Sequence, residues 1–140
     1  KYIEFVQDNH SKSKKNVLRG LHYQIKKPQI KLIRVIKGII FDVAVDIREN
    51  SQTFKKWFGI ELSNTNNLQL LIPEGFAHGY LTLSDSAEIV YKVSNYYEPS
   101  DEKTIIWNDR NINVDWGNNN PIISKKDSKG VNLENAEIFI

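Results

Sequence analysis

Five side chains that can move protons or bind anions lie in short segments of alternating polarity: Arg19, His22, Lys31, His78 and Tyr91. An imidazole titrates near neutral pH and can accept a proton, and the planar donor fork of an arginine matches a pair of phosphate oxygens. Each residue alone is more often a packing residue than a functional one. Together, on neighbouring strands, they would be costly to bury unless a ligand or polar partners satisfied them.

Spacing along the chain predicts which of these side chains share a face. In a regular strand, Arg19 and His22 would point to opposite sides. A bulge at Gly20 would add one residue to the count and bring both to the same side. By the same alternation, Gln7 and Asn9 are expected on one face of the first strand.

The elements that would position these residues are strands, because apolar residues recur with a period of two. Residues 39–48 are the clearest case, with one apolar face and one mostly polar face. Similar runs lie at residues 2–8, 17–24, 31–37, 57–62, 68–72, 79–83 and 87–96. Many short strands separated by turns predict an all-β jelly-roll barrel of antiparallel strands. Residues 98–140 are expected to wrap the barrel with turns and one or two short helical pieces, and the lysine-rich residues 12–15 to form a solvated loop.

Composition narrows the functional classes. The 140 residues are 40% hydrophobic and 26% charged, which is typical of one globular domain, here residues 1–140. A net charge of only +2 gives no reason to expect a nucleic-acid partner, and no apolar run approaches the ~20 residues of a membrane span. The absence of cysteine excludes disulfides and thiolate metal sites and fits a cytoplasmic protein.

A metal site of the kind found in many cupins is not expected. Pro73, Gly75 and His78 have the spacing of the second cupin motif, but the first motif of metal-binding cupins is His-x-His followed by a Glu. Here it reads His22-Tyr23-Gln24, and no Glu follows at the expected short distance. Two imidazoles are too few for a convincing iron, manganese or zinc site, so a metal-dependent oxygenase is disfavoured.

Two blocks of sequence resemble the dTDP-4-dehydrorhamnose 3,5-epimerase family. The first is FVQDNHS at residues 5–11 followed by VLRGLHYQ at residues 17–24, and the second is PEGFAHGY at residues 73–80. The same order continues with Tyr91-Lys92, Trp107-Asn108-Asp109 and Ser124-Lys125-Lys126-Asp127. The resemblance covers nearly the whole chain.

This resemblance implies a cupin jelly-roll homodimer that uses no metal or cofactor. It implies inversion of C3 and C5 of a nucleoside-diphosphate 4-keto-6-deoxy sugar, converting dTDP-4-dehydro-6-deoxyglucose to dTDP-4-dehydrorhamnose. The implied catalytic residues are the base His22, its orienting carboxylate Asp127, the proton donor Tyr91 and the cation Lys31 near the keto oxygen. The implied substrate contacts are Gln7, Asp8, Asn9, Arg19, His78, Glu102 and Lys126.

Several alternatives stay open on the sequence. Asp127 could be a loop or capping residue, and Glu102 a solvated surface carboxylate. Trp57, Trp107 and Trp116 are expected to be packing anchors rather than sugar platforms. The chain is also expected to lack an N-terminal segment of the family that contributes strand pairing and nucleotide contacts.

Three other functions compete with the double epimerase. One is an epimerase that inverts a single carbon or acts on a different sugar nucleotide. Another is a cupin that binds a sugar nucleotide without catalysis, and the third is the metal oxygenase.

Overall fold

Ten strands form two sheets in the computed structural model, which describes residues 2–140. They are β1 (Gln7–Lys14), β2 (Val17–Gln24), β3 (Lys31–Lys37), β4 (Ile39–Asp46), β5 (Trp57–Ser63), β6 (Gln69–Ile72), β7 (Phe76–Thr82), β8 (Ser86–Val93), β9 (Glu102–Thr104) and β10 (Ile122–Ile123). The smaller sheet has the order β1-β8-β3-β6, and the larger has the order β10-β2-β7-β4-β5 with β9 also paired to β2. Every pairing between these strands is antiparallel except that of β10 with β2. The predicted all-β jelly-roll is confirmed.

The first core layer lies between the two sheets. Alternate residues of β3 and β8, such as Ile33 and Ile89, pack against Ile40 and Leu62 of the larger sheet. Each of these four side chains is almost completely buried. Burying one such side chain stabilises the fold by roughly 1.5–3 kcal/mol, so this layer holds the two sheets face to face.

A second core layer lies on the opposite face of the larger sheet, where the tail covers it. Leu21 and Val43 of the sheet pack with Ile105, Trp116 and Leu133 of the tail. The tail also contains two short 3₁₀ helices, Asp127–Lys129 and Leu133–Asn135. The predicted wrap is confirmed, and Trp57 and Trp107 pack against this same layer as anchors.

The course of the first strand differs from the prediction. Strand β1 begins at Gln7 and runs through Lys14, so residues 12–14 are strand rather than solvated loop. Ser11 and Ser13 are the inward residues of this half of the strand, and Lys12 and Lys14 point outward. Because the inward positions carry small polar side chains, the alternation had no apolar signal there. Strand β7 likewise begins at Phe76, three residues before the predicted start.

None of the helical segments described within residues 2–140 combines the length and the hydropathy that a membrane crossing requires.

Candidate active site

A cavity of about 280 Å³ opens between the two sheets at the end where the inward side chains are polar. Its lining comprises Asn9, Ser11, Arg19, His22, Gln29, Lys31, His78, Gly79, Tyr80, Tyr91, Val93, Tyr97 and Glu102. All five side chains singled out first from the sequence therefore face one cavity. The fold therefore brings together side chains that lie far apart in the sequence.

A bulge in β2 brings Arg19 and His22 to the same face. Arg19 is paired with Tyr80 and His22 with His78, and the register shifts between these two pairs. Gly20 has φ of +130°, and a Cβ there would lie 2.6 Å from the Gly79 Cα. Only glycine fits this close approach of two strands. The predicted bulge at Gly20 is confirmed.

The carboxylate of Asp127 holds the imidazole of His22. Asp127 Oδ1 lies 2.6 Å from His22 Nε2, and Oδ2 accepts a hydrogen bond of 3.1 Å from the Gly20 amide. Burial raises the pKa of the Asp127 carboxyl, but the hydrogen bonds from His22 and from the Gly20 amide outweigh it, so that this pKa lies below the ordinary value. An ionised carboxylate accepts only, so Nε2 carries a proton and Nδ1 retains the lone pair.

The second nitrogen of His22 faces the other carboxylate of the cavity. His22 Nδ1 lies 3.7 Å from Glu102 Oε1. Glu102 also accepts hydrogen bonds from the Tyr97 hydroxyl and from the Lys126 ammonium. Burial raises the pKa of Glu102, but Lys126 and His22 together hold it below the ordinary value. Glu102 is therefore part of the site, and Lys126 reaches the site through it.

Lys31 stands on the opposite wall, at the start of β3 in the smaller sheet. Its side chain is buried, and burial lowers the pKa of the ammonium to about 8, although Glu102 and Asp42 act in the opposite direction. A cation held in a poorly hydrated cavity interacts strongly with any negative charge that develops beside it. Lys31 is therefore placed to stabilise an anionic oxygen.

Tyr91 lies on β8, beside Lys31 on the same wall. Its backbone is paired with Asn9 on one side and Ile33 on the other. Burial, Tyr80 and Glu102 raise the pKa of the phenol, against the weaker opposite effect of Arg19. The phenol is therefore protonated at neutral pH and can donate a proton into the cavity from the wall opposite His22.

A second histidine–carboxylate pair lies directly beside the first. His78 is the cross-strand neighbour of His22, and its Nε2 lies 2.6 Å from Asp42 Oδ1. Burial lowers the pKa of His78 more than the carboxylate raises it, so the imidazole is neutral. Sequence reasoning did not single out Asp42, which lies on the mostly polar face of residues 39–48. Both faces of β4 are in fact buried, and Asp42 between Ile40 and Ala44 is completely inaccessible.

The three residues of β1 that were expected to contact substrate do not all lie on the same face of the strand. Asn9 lines the cavity, and Gln7 donates a hydrogen bond of 2.7 Å to it and accepts one of 2.9 Å from the Tyr97 amide. Asp8 lies on the outer face, exposed and bonded to Lys92 at 2.8 Å. The structure therefore brings two of the three towards the site and leaves Asp8 outside the cavity. The alternation that placed Gln7 and Asn9 together already separated Asp8 from them.

Four polar residues that line the cavity were not singled out from the sequence: Ser11, Gln29, Tyr80 and Tyr97. Asp42, which bonds to His78 from outside the lining, was not singled out either. Tyr80 sits two residues after His78 in the same strand, so strand alternation was a usable signal for it. Gln29 and Tyr97 come from connecting segments, for which no periodicity exists.

Gln24 occupies the position where metal-binding cupins have their second histidine, and it bonds to backbone groups. It accepts from the Glu98 amide and donates to the carbonyl oxygens of Lys27 and Tyr96. Its side chain thereby fixes the loops at the cavity end. Within residues 2–140, no group of three or more His, Cys, Asp or Glu side chains is arranged to hold a metal ion.

Comparison with known proteins agrees with this geometry. The sequence pattern of the dTDP-4-dehydrorhamnose 3,5-epimerase family matches residues 1–135. The enzyme of that name from Shigella flexneri is 55% identical over 139 residues, which cover 99% of this chain and 77% of the relative. The enzyme from Salmonella typhimurium is 55% identical over 136 residues, which cover 96% of this chain and 74% of the relative.

A solved structure gives the same result in three dimensions. It is the dTDP-6-deoxy-D-glucose-3,5-epimerase of Legionella pneumophila in complex with dTDP-4-keto-L-rhamnose. It superposes with a TM-score of 0.93 at 46% identity, covering 96% of this chain and 72% of that one. The chain therefore belongs to the dTDP-4-dehydrorhamnose 3,5-epimerase family.

Proposed function

We propose that this chain is an isomerase that inverts C3 and C5 of dTDP-4-dehydro-6-deoxyglucose and so forms dTDP-4-dehydrorhamnose. Family membership supports the reaction class, since the relatives that match nearly the whole chain carry that name. The single observation that carries the proposal is the placement of an imidazole on one wall of a cavity and of a phenol and an ammonium on the other.

Proton removal is the proposed role of His22. A hydrogen on the carbon next to a ketone is weakly acidic, because its loss gives an enolate with the charge on oxygen. With Nε2–H held by Asp127, the lone pair on Nδ1 accepts that proton, and the carboxylate stabilises the imidazolium that forms. The C–H bond breaks, and its electron pair enters the enolate.

Stabilisation of the enolate oxygen is the proposed role of Lys31. With a pKa of about 8 it is mostly protonated at neutral pH, and it lies in the same cavity as His22. A fixed donor of this kind is effective because it is already oriented when the charge develops.

Return of the proton is the proposed role of Tyr91. Its phenol donates to the face of the sugar opposite His22, so the new C–H bond has the inverted configuration. The imidazolium then releases its proton to solvent, and the phenolate takes one proton from solvent, which restores the starting state. Repeating the sequence at the second carbon flanking the ketone completes the double inversion.

Substrate binding is proposed for the remaining cavity residues. Arg19 presents a guanidinium fork suited to phosphate oxygens, and His78 presents a neutral imidazole held by Asp42. Asn9 and Glu102 line the cavity, and Gln7 and Lys126 each bond to one of them.

Solvent isotope exchange tests the proposal. The protein is incubated with dTDP-4-dehydro-6-deoxyglucose in heavy water, and the sugar is analysed by NMR. Deuterium at both C3 and C5 supports the double epimerase, and deuterium at one position only replaces it with a single epimerase. Ligand binding without any exchange would leave a non-catalytic sugar-nucleotide-binding protein and remove the enzymatic proposal.

We also propose that the chain acts as a homodimer through the outer face of the smaller sheet. Leu32 and Leu71 are direct cross-strand neighbours there, Val90 lies in the adjacent row, and Ile36 lies beyond it. Leu71 and Ile36 are 49% and 40% exposed. The tail covers the larger sheet, whereas no element within residues 2–140 covers this face. Exposed apolar side chains on an uncovered sheet face favour association, and the charged Arg34 and Lys92 lie among them.

Light scattering after size-exclusion chromatography tests the dimer. A particle of twice the chain mass of 16.2 kDa is expected, and Leu71→Lys should reduce it to one chain mass. Phe58→Lys is the matched control, since Phe58 is equally exposed at the edge of the other sheet. A wild-type protein of one chain mass would refute the dimer. We propose a cytoplasmic location, which the cysteine-free sequence fits.

A further inference from the structure

A line of three hydroxyl groups runs from the guanidinium of Arg19 across the wall of the cavity. Arg19 Nε lies 2.9 Å from Ser13 Oγ, and Ser13 Oγ lies 3.2 Å from Tyr80 Oη. Tyr80 Oη in turn lies 3.2 Å from Ser11 Oγ. None of these hydroxyl groups has a role in the proton transfers described above.

Strand register explains why these groups meet. Ser11 and Ser13 are alternate inward residues of β1 in the smaller sheet. Tyr80 belongs to β7 of the larger sheet and is paired in register with Arg19. The line of hydroxyls therefore connects the two sheets at the cavity wall, and it fixes Arg19 of one sheet relative to β1 of the other.

The direction of the first of these hydrogen bonds follows from the chemistry of arginine. A guanidinium has donors only, so Arg19 Nε–H donates and Ser13 Oγ accepts. Either oxygen can donate in the contacts of Tyr80 with Ser13 and with Ser11. When the almost fully buried Ser13 donates to Tyr80 and Tyr80 donates to Ser11, the Ser11 hydrogen points into the cavity, which Ser11 lines. Consecutive hydrogen bonds of one direction polarise each other and strengthen the last donor.

In that arrangement the side of the cavity wall formed by Arg19 and Ser11 presents donors only. Arg19 Nε–H donates to Ser13, and the two terminal amino groups of Arg19 remain for a ligand. We infer that Ser13 and Tyr80 are positioning residues that orient the Arg19 fork and the Ser11 hydroxyl as a joint subsite for a diphosphate. Assignment to the diphosphate of the sugar nucleotide rests on the proposed function, whereas binding of an inorganic anion does not.

Calorimetric titration with inorganic pyrophosphate tests the subsite without any turnover. Tyr80→Phe keeps the ring and removes the link between the two serines. The Kd for pyrophosphate is expected to rise about tenfold, because the donors lose orientation and polarisation. The Kd for thymidine, which has no phosphate, should not change. Tyr23→Phe is the matched control, since its hydroxyl bonds to the Glu137 carbonyl on the tail side of the larger sheet, and it should bind pyrophosphate as wild type does.

Serine variants test the direction of the hydrogen bonds along the line of hydroxyl groups. Ser11→Ala removes the terminal donor from a partly exposed position, where folding is not at risk, and should weaken pyrophosphate binding by a similar factor. Ser13→Ala should do the same. Combining it with Tyr80→Phe should weaken pyrophosphate binding little further, since both changes interrupt the same line of hydroxyl groups. Ser63→Ala, at an equally buried serine at the end of β5, is its control.

Kinetics separate this role from the proton transfers. With the sugar nucleotide, the three variants should raise KM about tenfold and leave kcat within about twofold, because the chain acts on binding. Wild-type protein that binds no pyrophosphate would overturn the inference even if it epimerises the sugar. So would Ser11→Ala or Tyr80→Phe binding pyrophosphate within twofold of wild type. Pyrophosphate binding without isotope exchange would instead leave the subsite intact and refute the proposed function.

Discussion

His22 and Asp127 are separated by 105 residues in the chain, yet His22 Nε2 and Asp127 Oδ1 lie 2.6 Å apart. The contact joins the bulged strand β2 to the start of a 3₁₀ helix in the tail. Because the tail is anchored by its own core layer, the carboxylate is fixed before any substrate arrives. The pair therefore joins the proposed base to the group that sets its tautomer.

Replacing the base should abolish proton exchange. His22 is the side chain that Asp127 holds on the larger-sheet wall of the cavity, so His22→Ala removes the lone pair that is proposed to accept the proton. Deuterium incorporation at C3 and C5 in heavy water is expected to fall to the background rate, as measured by NMR. His10→Ala, at an outward position of β1, is the matched control and should exchange normally. Exchange by His22→Ala at the wild-type rate would assign the base elsewhere.

Asp127→Asn should impair catalysis while leaving the fold intact. An amide nitrogen placed against Nε2 would force the imidazole proton to Nδ1 and so remove the lone pair that faces the cavity. In Ser-His-Asp triads the equivalent change costs as much as about 10⁴-fold in kcat. A fall in kcat of at least about a hundredfold is expected here, measured by coupled product formation. Asp115→Asn, at a surface turn, should have no effect, and an active Asp127→Asn would contradict the orienting role.

Lys31→Met should lower the activity of the protein and raise its stability near neutral pH. Loss of the oxyanion donor is expected to raise the barrier by about 2.7–4 kcal/mol, which is roughly a 10²–10³-fold loss of kcat. The folded-state pKa of about 8 lies below the ordinary 10.5, so the unfolded chain binds more protons between these values. Wild-type stability therefore rises as the pH increases from about 8 to 10.5.

Urea unfolding at several pH values checks this sign. Near neutral pH the wild type bears the full cost of burying the Lys31 charge, and Lys31→Met should be more stable. The advantage should shrink as the pH rises through the window between about 8 and 10.5. A stability difference that does not depend on pH would contradict burial of a charged Lys31. Lys129→Met, at a lysine in the last turn of a tail helix, is the control.

Tyr91→Phe should separate proton loss from inversion. The base, its carboxylate and the cation are unchanged, so deuterium still enters through the enolate, but the opposite face has lost its donor. Formation of the inverted product is expected to fall at least about tenfold more than solvent exchange, consistent with the typical contribution of a general acid. Tyr96→Phe, an exposed neighbour, should leave both rates unchanged. Equal losses of exchange and inversion would remove Tyr91 as the donor.

Gly20→Ala should damage both the fold and the site. The backbone there has φ of +130°, and the new Cβ would meet Gly79 Cα at 2.6 Å and the His78 carbonyl oxygen at 2.8 Å. A loss of about 3 kcal/mol or more in the free energy of unfolding is expected from strain and clash. Gly117→Ala is the matched control, with φ of +69° and open space around its Cβ, and should cost only about 1–2 kcal/mol. Urea unfolding measures both, and equal costs would refute the need for glycine at the bulge.

The sequence by itself determined the strands and the chemistry they carry. A period of two is local, so it could be read along residues 17–24, 31–37 and 39–48 without knowledge of any partner strand. The glycine in the middle of β2 marked the bulge, because a residue without Cβ in a strand interior is a local signal as well. The family resemblance then named roles for His22, Lys31 and Tyr91.

Only the tertiary structure decided which faces were buried and which distant groups met. Alternation separates two faces of a strand but does not say which is covered, so the mostly polar face of residues 39–48 gave no reason to single out Asp42, which the structure buries completely. The polar inner side of β1 gave no apolar period, so that strand was placed too early. The contact of Asp127 with His22 depends on how the tail folds back over β2, and no periodicity within either segment encodes that distance.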